Sequence, residues 1–478
     1  MKKKSLVLAS LLLTATALAS CGGSKTGNSN GLTVEGWNVV ANANPKDDGT
    51  SSTGEVTLNP TTANSTCPTT FDTSKTYKVS YWSTMGDTLK STITSHLVDG
   101  KTLPGYPNIE VELVTYSGYT ELRNAIVTAI PTGGYPDLSF CYPDHVALYN
   151  NAEVVTHLDS VIQSPTFGID SSNITGAFYG EGASFGDGHM YALPFAKSTE
   201  VLYYDKDFFT ANKLEIPTTW SEMWTLCEDI LAIDENCIPL GIDSEANLFI
   251  ELAKQYGFDY TNTSGEFLFD NEGNRSFVQS LANMYDEGFF TTQTLYGTYT
   301  SSLFSSKTDP RCYMCIGSTG GAQYQYSDAF ETGIAMIPAA DGGSSAVISQ
   351  GPSLCMFDKA PDQELASWLV TKFLLSDEVQ IDYAKASGYI PVTQSAQNST
   401  TYQTYLDGRT QNTKPGVIAK AAYQSVQQLP YYFTSAAFNG SSTARDEVGN
   451  IIVNVISGTK SIDSAFKNAM DECEYAAS

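Results

Sequence analysis

Gly317-Ser-Thr-Gly-Gly321 follows a strand pattern and opens a helix. Unpaired backbone N–H groups at such a junction, with the Ser318 and Thr319 hydroxyls beside them, suit a phosphate, a carboxylate or a sugar hydroxyl. A plain strand-to-helix turn looks the same. Tyr119 follows Gly118 before a helix, and Tyr389 follows Gly388 in a short loop. Each could present a ring and a hydroxyl to a polyol, or simply fill the core. Asp144, after Tyr142-Pro143, is a carboxylate at the carboxyl end of a strand, where ligands of α/β sheets sit. It would accept from sugar hydroxyls or cap the next helix. Arg445 opens a late helix and is the only Arg after Arg409. A guanidinium there could grip a phosphate with two parallel hydrogen bonds, or pair with Asp446 or Glu447 at the surface.

Other chemistries lack their residues. G-x-S-x-G, H-E-x-x-H, the P-loop and the EF-hand loop do not occur. His96, His145, His157 and His189 are scattered without metal-ligand spacing, and His189 beside Asp187 reads as a turn residue. Gly180-Glu-Gly182-Ala-Ser-Phe-Gly186 has the wrong spacing for a dinucleotide loop. Cys312-Tyr-Met-Cys315 lies in a strand pattern, so its thiols face opposite ways. Most of the cysteines after Cys21 sit in apolar patterns and read as free, buried thiols; a Cys227–Cys237 bridge stays open. No cofactor or metal is implied.

These residues need elements to hold them. Tyr77–Trp82, Ile109–Leu113, Asp137–Tyr142, Met190–Leu193, Val201–Tyr204, Arg311–Ile316 and Gly333–Ile337 read as strands. Leu89–Val98, Tyr119–Ile130, Asp362–Leu375, Glu378–Ala386, Ala444–Ile456 and Ile462–Met470 read as helices. Thr219-Trp-Ser-Glu222 is a capping box that starts another. The alternation implies an α/β fold with mostly parallel sheets.

Met1-Lys-Lys-Lys4, an apolar run to Ala17 and Leu18-Ala-Ser-Cys21 form a secretory leader. Its ending is similar to the bacterial lipobox, which implies acylation of Cys21 and a membrane anchor. Residues 22–74, rich in Gly, Ser, Thr, Asn and Pro, read as a flexible tether, with a short strand near 36–40. The chain has 478 residues with 26 Lys+Arg and 52 Asp+Glu; without residues 1–20, which hold three Lys and no acid, the charge is 23 − 52 = −29. Such a surface excludes a nucleic-acid partner, whose phosphates need cations. Hydrophobic residues at 41% allow a sizeable core.

Ala192-Leu-Pro-Phe-Ala-Lys-Ser-Thr-Glu-Val-Leu-Tyr-Tyr-Asp-Lys-Asp207, Pro217-Thr-Thr-Trp-Ser-Glu222, Ile316–Gly321, Gly351-Pro-Ser-Leu354 and Ser387-Gly-Tyr-Ile-Pro-Val392 occur in one order. Together they resemble the extracellular solute-binding proteins of sugar ABC importers, nearest the branch for glycerol 3-phosphate and glycerophosphodiesters. The resemblance spans about residues 75–475. It implies a two-lobed periplasmic-binding-protein-like fold with hinge crossovers. One lobe would hold 75–196 and 347–392, the other 197–346 and 393–478. It implies a monomer that captures a small solute and delivers it to a membrane permease. The branch's contacts fall on Tyr119, Ser198, Ser318, Gly351, Tyr389 and Arg445, with an acid near Asp144. Tyr119, Asp144 and Tyr389 would belong to one lobe, and Ser198, Ser318 and Arg445 to the other. Trp residues that the branch uses are missing from Asp243–Leu248. The rival readings are a surface glycoside hydrolase with two distant carboxylates and a peptide-binding or adhesive lipoprotein.

Overall fold

A computed structural model describes residues 35–50, 67–185, 187–306 and 308–478. The leader and Cys21 lie outside the described residues. Fourteen strands are described: β1 Tyr77–Ser83, β2 Ile109–Thr115, β3 Leu138–Cys141, β4 Ala192–Pro194, β5 Ala196–Lys197, β6 Glu200–Asp205, β7 Ile238–Ile242, β8 Phe290–Thr292, β9 Cys312–Ser318, β10 Thr332–Ala335, β11 Val347–Ile348, β12 Ser353–Met356, β13 Ile390–Pro391 and β14 Tyr432–Phe433. Ten of them build two five-stranded sheets, ordered β2-β1-β3-β12-β4 and β10-β6-β9-β7-β8. Each sheet is the floor of one lobe, with helices on its faces.

The sheets are mixed rather than mostly parallel. In the first, β1 runs parallel to β2 and β3, while β12 is antiparallel to β3 and β4. In the second, β7 is parallel to β8 and β9, while β6 is antiparallel to β9 and β10. The cause is the chain's passage between lobes. β6 enters the second lobe from the first, and β12 returns the other way, so each runs against its neighbours. Local periodicity identifies a strand but not the direction from which it arrives.

The passages lie side by side. β5 pairs antiparallel with β13, and Ser198 bridges Gln350, its N–H donating to the Gln350 carbonyl at 2.9 Å. β11 pairs with β14 beside them. This ribbon is the hinge region. Gly351 belongs to it at φ +94°, a backbone that L side chains rarely adopt, and a Cβ there would strike the Ala196 carbonyl and the Tyr389 ring.

The helices follow their sequence signals. Thr219 caps Trp220–Ile233, and Glu222 closes the reciprocal box. Met223, Leu226 and Ile230 are buried, as their spacing requires. Leu122 and Ile126 are the buried face of Tyr119–Ala129. The late helix begins at Ser441, three residues before the sequence signal, and ends at Ile456.

The tether reading holds for neither described stretch of 22–74. Residues 36–40 form no strand, yet Trp37 is 2% exposed and packs among Trp220, Trp224 and Tyr256, with ring centroids 5.4–6.5 Å away. Asp48 accepts from Lys254 at 2.6 Å, and Lys46 pairs with Asp259 at 3.0 Å. Residues 35–50 therefore lie as a strap on the second lobe. Phe71 packs on Tyr77, centroids 4.9 Å apart, on the first. One indole and two ion pairs outweigh a Gly/Asn-rich composition, because stacking against three buried rings is a tertiary event.

All eight described cysteines are unpaired and seven are buried; Cys227 and Cys237 form no bridge. Among the described residues no helix is long and apolar enough to cross a membrane.

Candidate solute site between the lobes

The first lobe contributes the helix Pro143–Asn150. Pro143 at its first position pre-sets the backbone, Tyr142 rather than Asp144 is the N-cap, and Asp144 lies half-buried in the first turn. The second lobe contributes the helix Ser441–Ile456, which rests on Glu245–Tyr256 and meets Pro143–Asn150 across the cleft. A cavity of about 50 Å³ separates them, lined by Tyr142, Asp144, Glu181, Tyr260, Gln350, Ser441 and Arg445 among others. Through Tyr260, Thr434, Ser435 and Ala436 it adjoins a larger cavity of about 470 Å³ beneath the strap, lined also by Lys46, Asp48, Lys254 and Phe433. The lobes touch beside it. Arg123 donates to Ser442 Oγ at 2.6 Å, and Asn151 donates to Asn439 at 2.7 Å.

Arg445 is a half-buried cation set among polar groups. Its Nη2 donates to Asn247 Oδ1. With the Gln350 amide turned to satisfy both neighbours, its oxygen accepts from Arg445 at 3.2 Å and its nitrogen donates to Glu200 at 3.1 Å. Asn247 also donates to Glu200. Burial pushes the Glu200 carboxyl up to about 7, although Asn247 and Arg445 pull the other way. Burial also pushes Glu251 well above the usual carboxylate range. Burial thus weakens the negative charge that Glu200 and Glu251 set against Arg445, which leaves more of the guanidinium's charge for the cavity. Arg445 does not form the surface pair with Asp446 or Glu447 that the sequence left open; it is Arg123 that approaches Asp446, at 3.4 Å.

The helix carrying Arg445 has Gly440, φ +95°, at its N-cap and no side-chain cap on its first turn. Its positive end therefore opens toward the same cavity, which Ser441 lines. Beneath lies a buried ion pair. Lys197 Nζ donates to Glu181 Oε2 at 2.6 Å, to the Gly351 carbonyl at 3.3 Å and to Ser353 Oγ at 3.3 Å, with both charged side chains almost fully buried.

The tyrosines form a wall. Tyr119 and Tyr142 have ring centroids 4.6 Å apart, and Tyr389 packs 6.1 Å from Tyr383. Burial pushes the Tyr389 phenol up to about 12, with Tyr299 adding to it and the Tyr119 hydroxyl opposing. The Tyr389 ring covers Gly320, where a Cβ would come within 2.7 Å of it. That contact crosses from one lobe to the other, and it fills the cradle expected at Gly317–Gly321.

The remaining residues are placed as follows. Ser318 Oγ accepts from Gly320 N–H at 3.1 Å and donates to Ser198 Oγ at 3.2 Å, closing a short six-residue 3₁₀ turn rather than an α-helix. Thr319 is 0% exposed, and its Oγ1 accepts from the Thr199 N–H at 3.3 Å. It does not line the interlobe cavity. Asp144 and Arg445 line the cavity directly. Tyr119 and Tyr389 stand behind Tyr142, and Ser198, Ser318 and Gly351 belong to the hinge. Sequence reasoning missed Tyr142, Glu181, Asn247, Tyr260, Gln350 and Ser441. Glu181 sits in the Gly-rich stretch set aside for its spacing, and the one available signal was a lone acid between two glycines.

Residues 105–408 match the family model described as bacterial extracellular solute-binding protein. The chain belongs to this family. Among curated relatives, the sn-glycerol-3-phosphate-binding periplasmic protein UgpB of Salmonella typhimurium is 25% identical over 390 residues, covering 76% of this chain and 85% of its own. UgpB of Escherichia coli K12 is 25% identical over 379 residues, covering 75% and 83%. Among solved structures, UgpB from Mycobacterium tuberculosis in complex with glycerophosphocholine superposes with TM-score 0.68 at 17% identity, over 84% of this chain and 98% of its own. The GacH receptor of Streptomyces glaucescens superposes with TM-score 0.67 at 16% identity, over 84% and 97%. These neighbours share the two-lobed fold of periplasmic binding proteins. The family and the curated relatives are solute-binding proteins rather than hydrolases, which removes the hydrolase reading.

Proposed function

We propose that this solute-binding protein captures a glycerol-phosphate or related sugar-type solute between its lobes and hands it to the permease of an ABC importer, anchored as a monomer through acylated Cys21. The observation that carries the reading is the pairing, in one interlobe cavity, of Arg445 and an uncapped helix N-terminus on one side with Asp144 on the other. The cationic side suits a phosphate, and the carboxylate suits the hydroxyls of a polyol. The names of the curated relatives and of the neighbour bound to glycerophosphocholine support the same class. A cavity of about 50 Å³ is smaller than such a solute, so capture requires the lobes to part at the Ser198–Gln350 hinge and close again over it.

Thermal unfolding against glycerol 3-phosphate, glycerophosphodiesters, neutral sugars and short peptides tests this. A solute at a hundred times its Kd stabilises by about 2.7 kcal/mol. Glycerol phosphates should raise the Tm, and Arg445→Ala should weaken them by about 10- to 150-fold, the worth of a charge-assisted hydrogen bond. A shift with peptides alone overturns the reading. A shift with neutral sugars that Arg445→Ala leaves unchanged removes the phosphate. The anchor is tested separately by the mass of the N-terminal peptide from the membrane fraction and by release of Cys21→Ser.

A further inference from the structure

His157 comes from the stretch after the helix Pro143–Asn150, Asp159 is the first residue of the short helix Asp159–Ile162, and His189 leads into β4. Sequence distance made them look scattered, yet the fold gathers them. The Leu158 N–H donates to the Met190 carbonyl at 2.8 Å, and the Thr156 N–H donates to the Met356 carbonyl at 2.9 Å. Residues 156–158 are thus clamped to two neighbouring segments, one of them the stretch that carries His189. The site lies past the Met356 and Ala192 ends of β12 and β4. The other ends, where Ser353 pairs with Pro194, lead to the hinge. The cluster therefore stands apart from the solute cavity.

One ligand-type atom from each of the three residues lies within 4.8 Å of the other two. Asp159 is 0% exposed and each histidine 8%. His189 Nδ1 is 3.1 Å from Asp159 Oδ2, and Asp159 Oδ1 accepts from the Met190 N–H at 3.3 Å. The His157 and His189 rings lie 4.4 Å apart, inclined by 34°. Buried His157 Nδ1 has no hydrogen-bond partner. A buried imidazole with an orphaned nitrogen, beside a second imidazole and a fully buried carboxylate, is poorly explained as packing.

Ligand atoms about 2.0–2.1 Å from a tetrahedral zinc stand roughly 3.3 Å from one another. The His189–Asp159 separation already matches that edge. Closing the rest of the 4.8 Å span takes a movement of roughly 1.5 Å, within reach of a turn of the His157 ring. Two imidazoles and one carboxylate suit zinc over calcium or magnesium, which prefer all-oxygen shells. Asp187 stands at the rim, held by the Tyr191 hydroxyl at 2.6 Å, and adds negative charge outside.

We propose that His157, Asp159 and His189 form a zinc site that ties the 154–159 segment to the start of β4 at the outer end of the first lobe. With three protein ligands, the fourth position is left for water. The ion is structural: it replaces the His189–Asp159 hydrogen bond and gives the orphaned His157 nitrogen a partner.

The test is zinc binding to the full chain after chelator treatment, followed by a competing indicator and by thermal unfolding. One equivalent of Zn²⁺ should bind at micromolar free ion and raise the Tm, while Mg²⁺ should not. His157→Ala removes no hydrogen bond made by Nδ1 and should leave the far-ultraviolet circular dichroism unchanged, yet weaken zinc by more than about tenfold. His189→Gln should weaken it likewise. Failure of the wild-type chain to bind an equivalent overturns the proposal. So does binding that His157→Ala leaves intact, which would place the zinc on cysteine thiols or on surface acids.

Discussion

Replacing Lys197 by Met would strip the cation from a carboxylate that is almost fully buried. Lys197 and Glu181 are buried together at 2.6 Å, and the ammonium also reaches Gly351 and Ser353. Burial already holds the Glu181 carboxyl above its ordinary range, with Lys197 opposing. Removing one partner of a buried pair typically costs about 3–5 kcal/mol. In the variant, Glu181 escapes that penalty by taking up a proton. Its folded pKa then lies above the unfolded value of about 4.3, so its contribution is intact below that pH and is lost as pH rises. Holding a carboxyl protonated at pH 7 costs about 1.36 kcal/mol per unit, or about 3.7 kcal/mol, and at pH 5 only about 1 kcal/mol. A deficit that shrinks by nearly 3 kcal/mol between about pH 7 and pH 5 is therefore the expected signature. Urea unfolding of wild type and variant at both pH values measures it. Adding Glu181→Gln to the variant should remove the pH dependence and leave a constant deficit from the lost Gly351 and Ser353 bonds. A deficit below about 1 kcal/mol at pH 7, or one that does not change with pH, would refute a buried pair of this strength.

Two further outcomes follow from the same structure. Glu200, raised to about 7 by burial, contributes stability that is full below the unfolded carboxyl value and is lost as pH rises through about 7. Glu200→Gln should flatten that fall in Tm. Because a neutral Glu200 neutralises Arg445 less, affinity for a phosphorylated solute should be higher near pH 6 than near pH 8 by calorimetry, and an affinity without pH dependence would contradict the coupling. Trp37→Ala should cost about 3–5 kcal/mol of local docking, which exceeds what one exposed and one partly buried ion pair can hold. Limited proteolysis should then cut within residues 35–50 while the Tm of the lobes changes little, and an unchanged cleavage pattern would show that the strap does not depend on its indole.

Much of the architecture was legible in the chain. Apolar spacing in Tyr119–Ala129 and the capping box at Thr219 are local signals, carried by side chains within one turn of each other, and both elements formed where their residues indicated. The free thiols were legible because cysteines inside apolar patterns pack as small hydrophobes. Motif order pointed to the two-lobed family, and Asp144 and Arg445 do reach one cavity. Pairing across sequence was not legible. The mixed sheets depend on how often the chain passes between lobes, which no window of residues records. Thr319 carries a hydroxyl in a ligand-like loop, but a partner at Thr199 takes it. Glu181 and Lys197 are unremarkable charges until burial joins them. Local types and spacing decide which segments coil or extend, because those energies act over a few residues. Which groups share a cavity, an ion pair or a metal-sized gap is decided by contacts between distant segments, and only the folded chain brings these together.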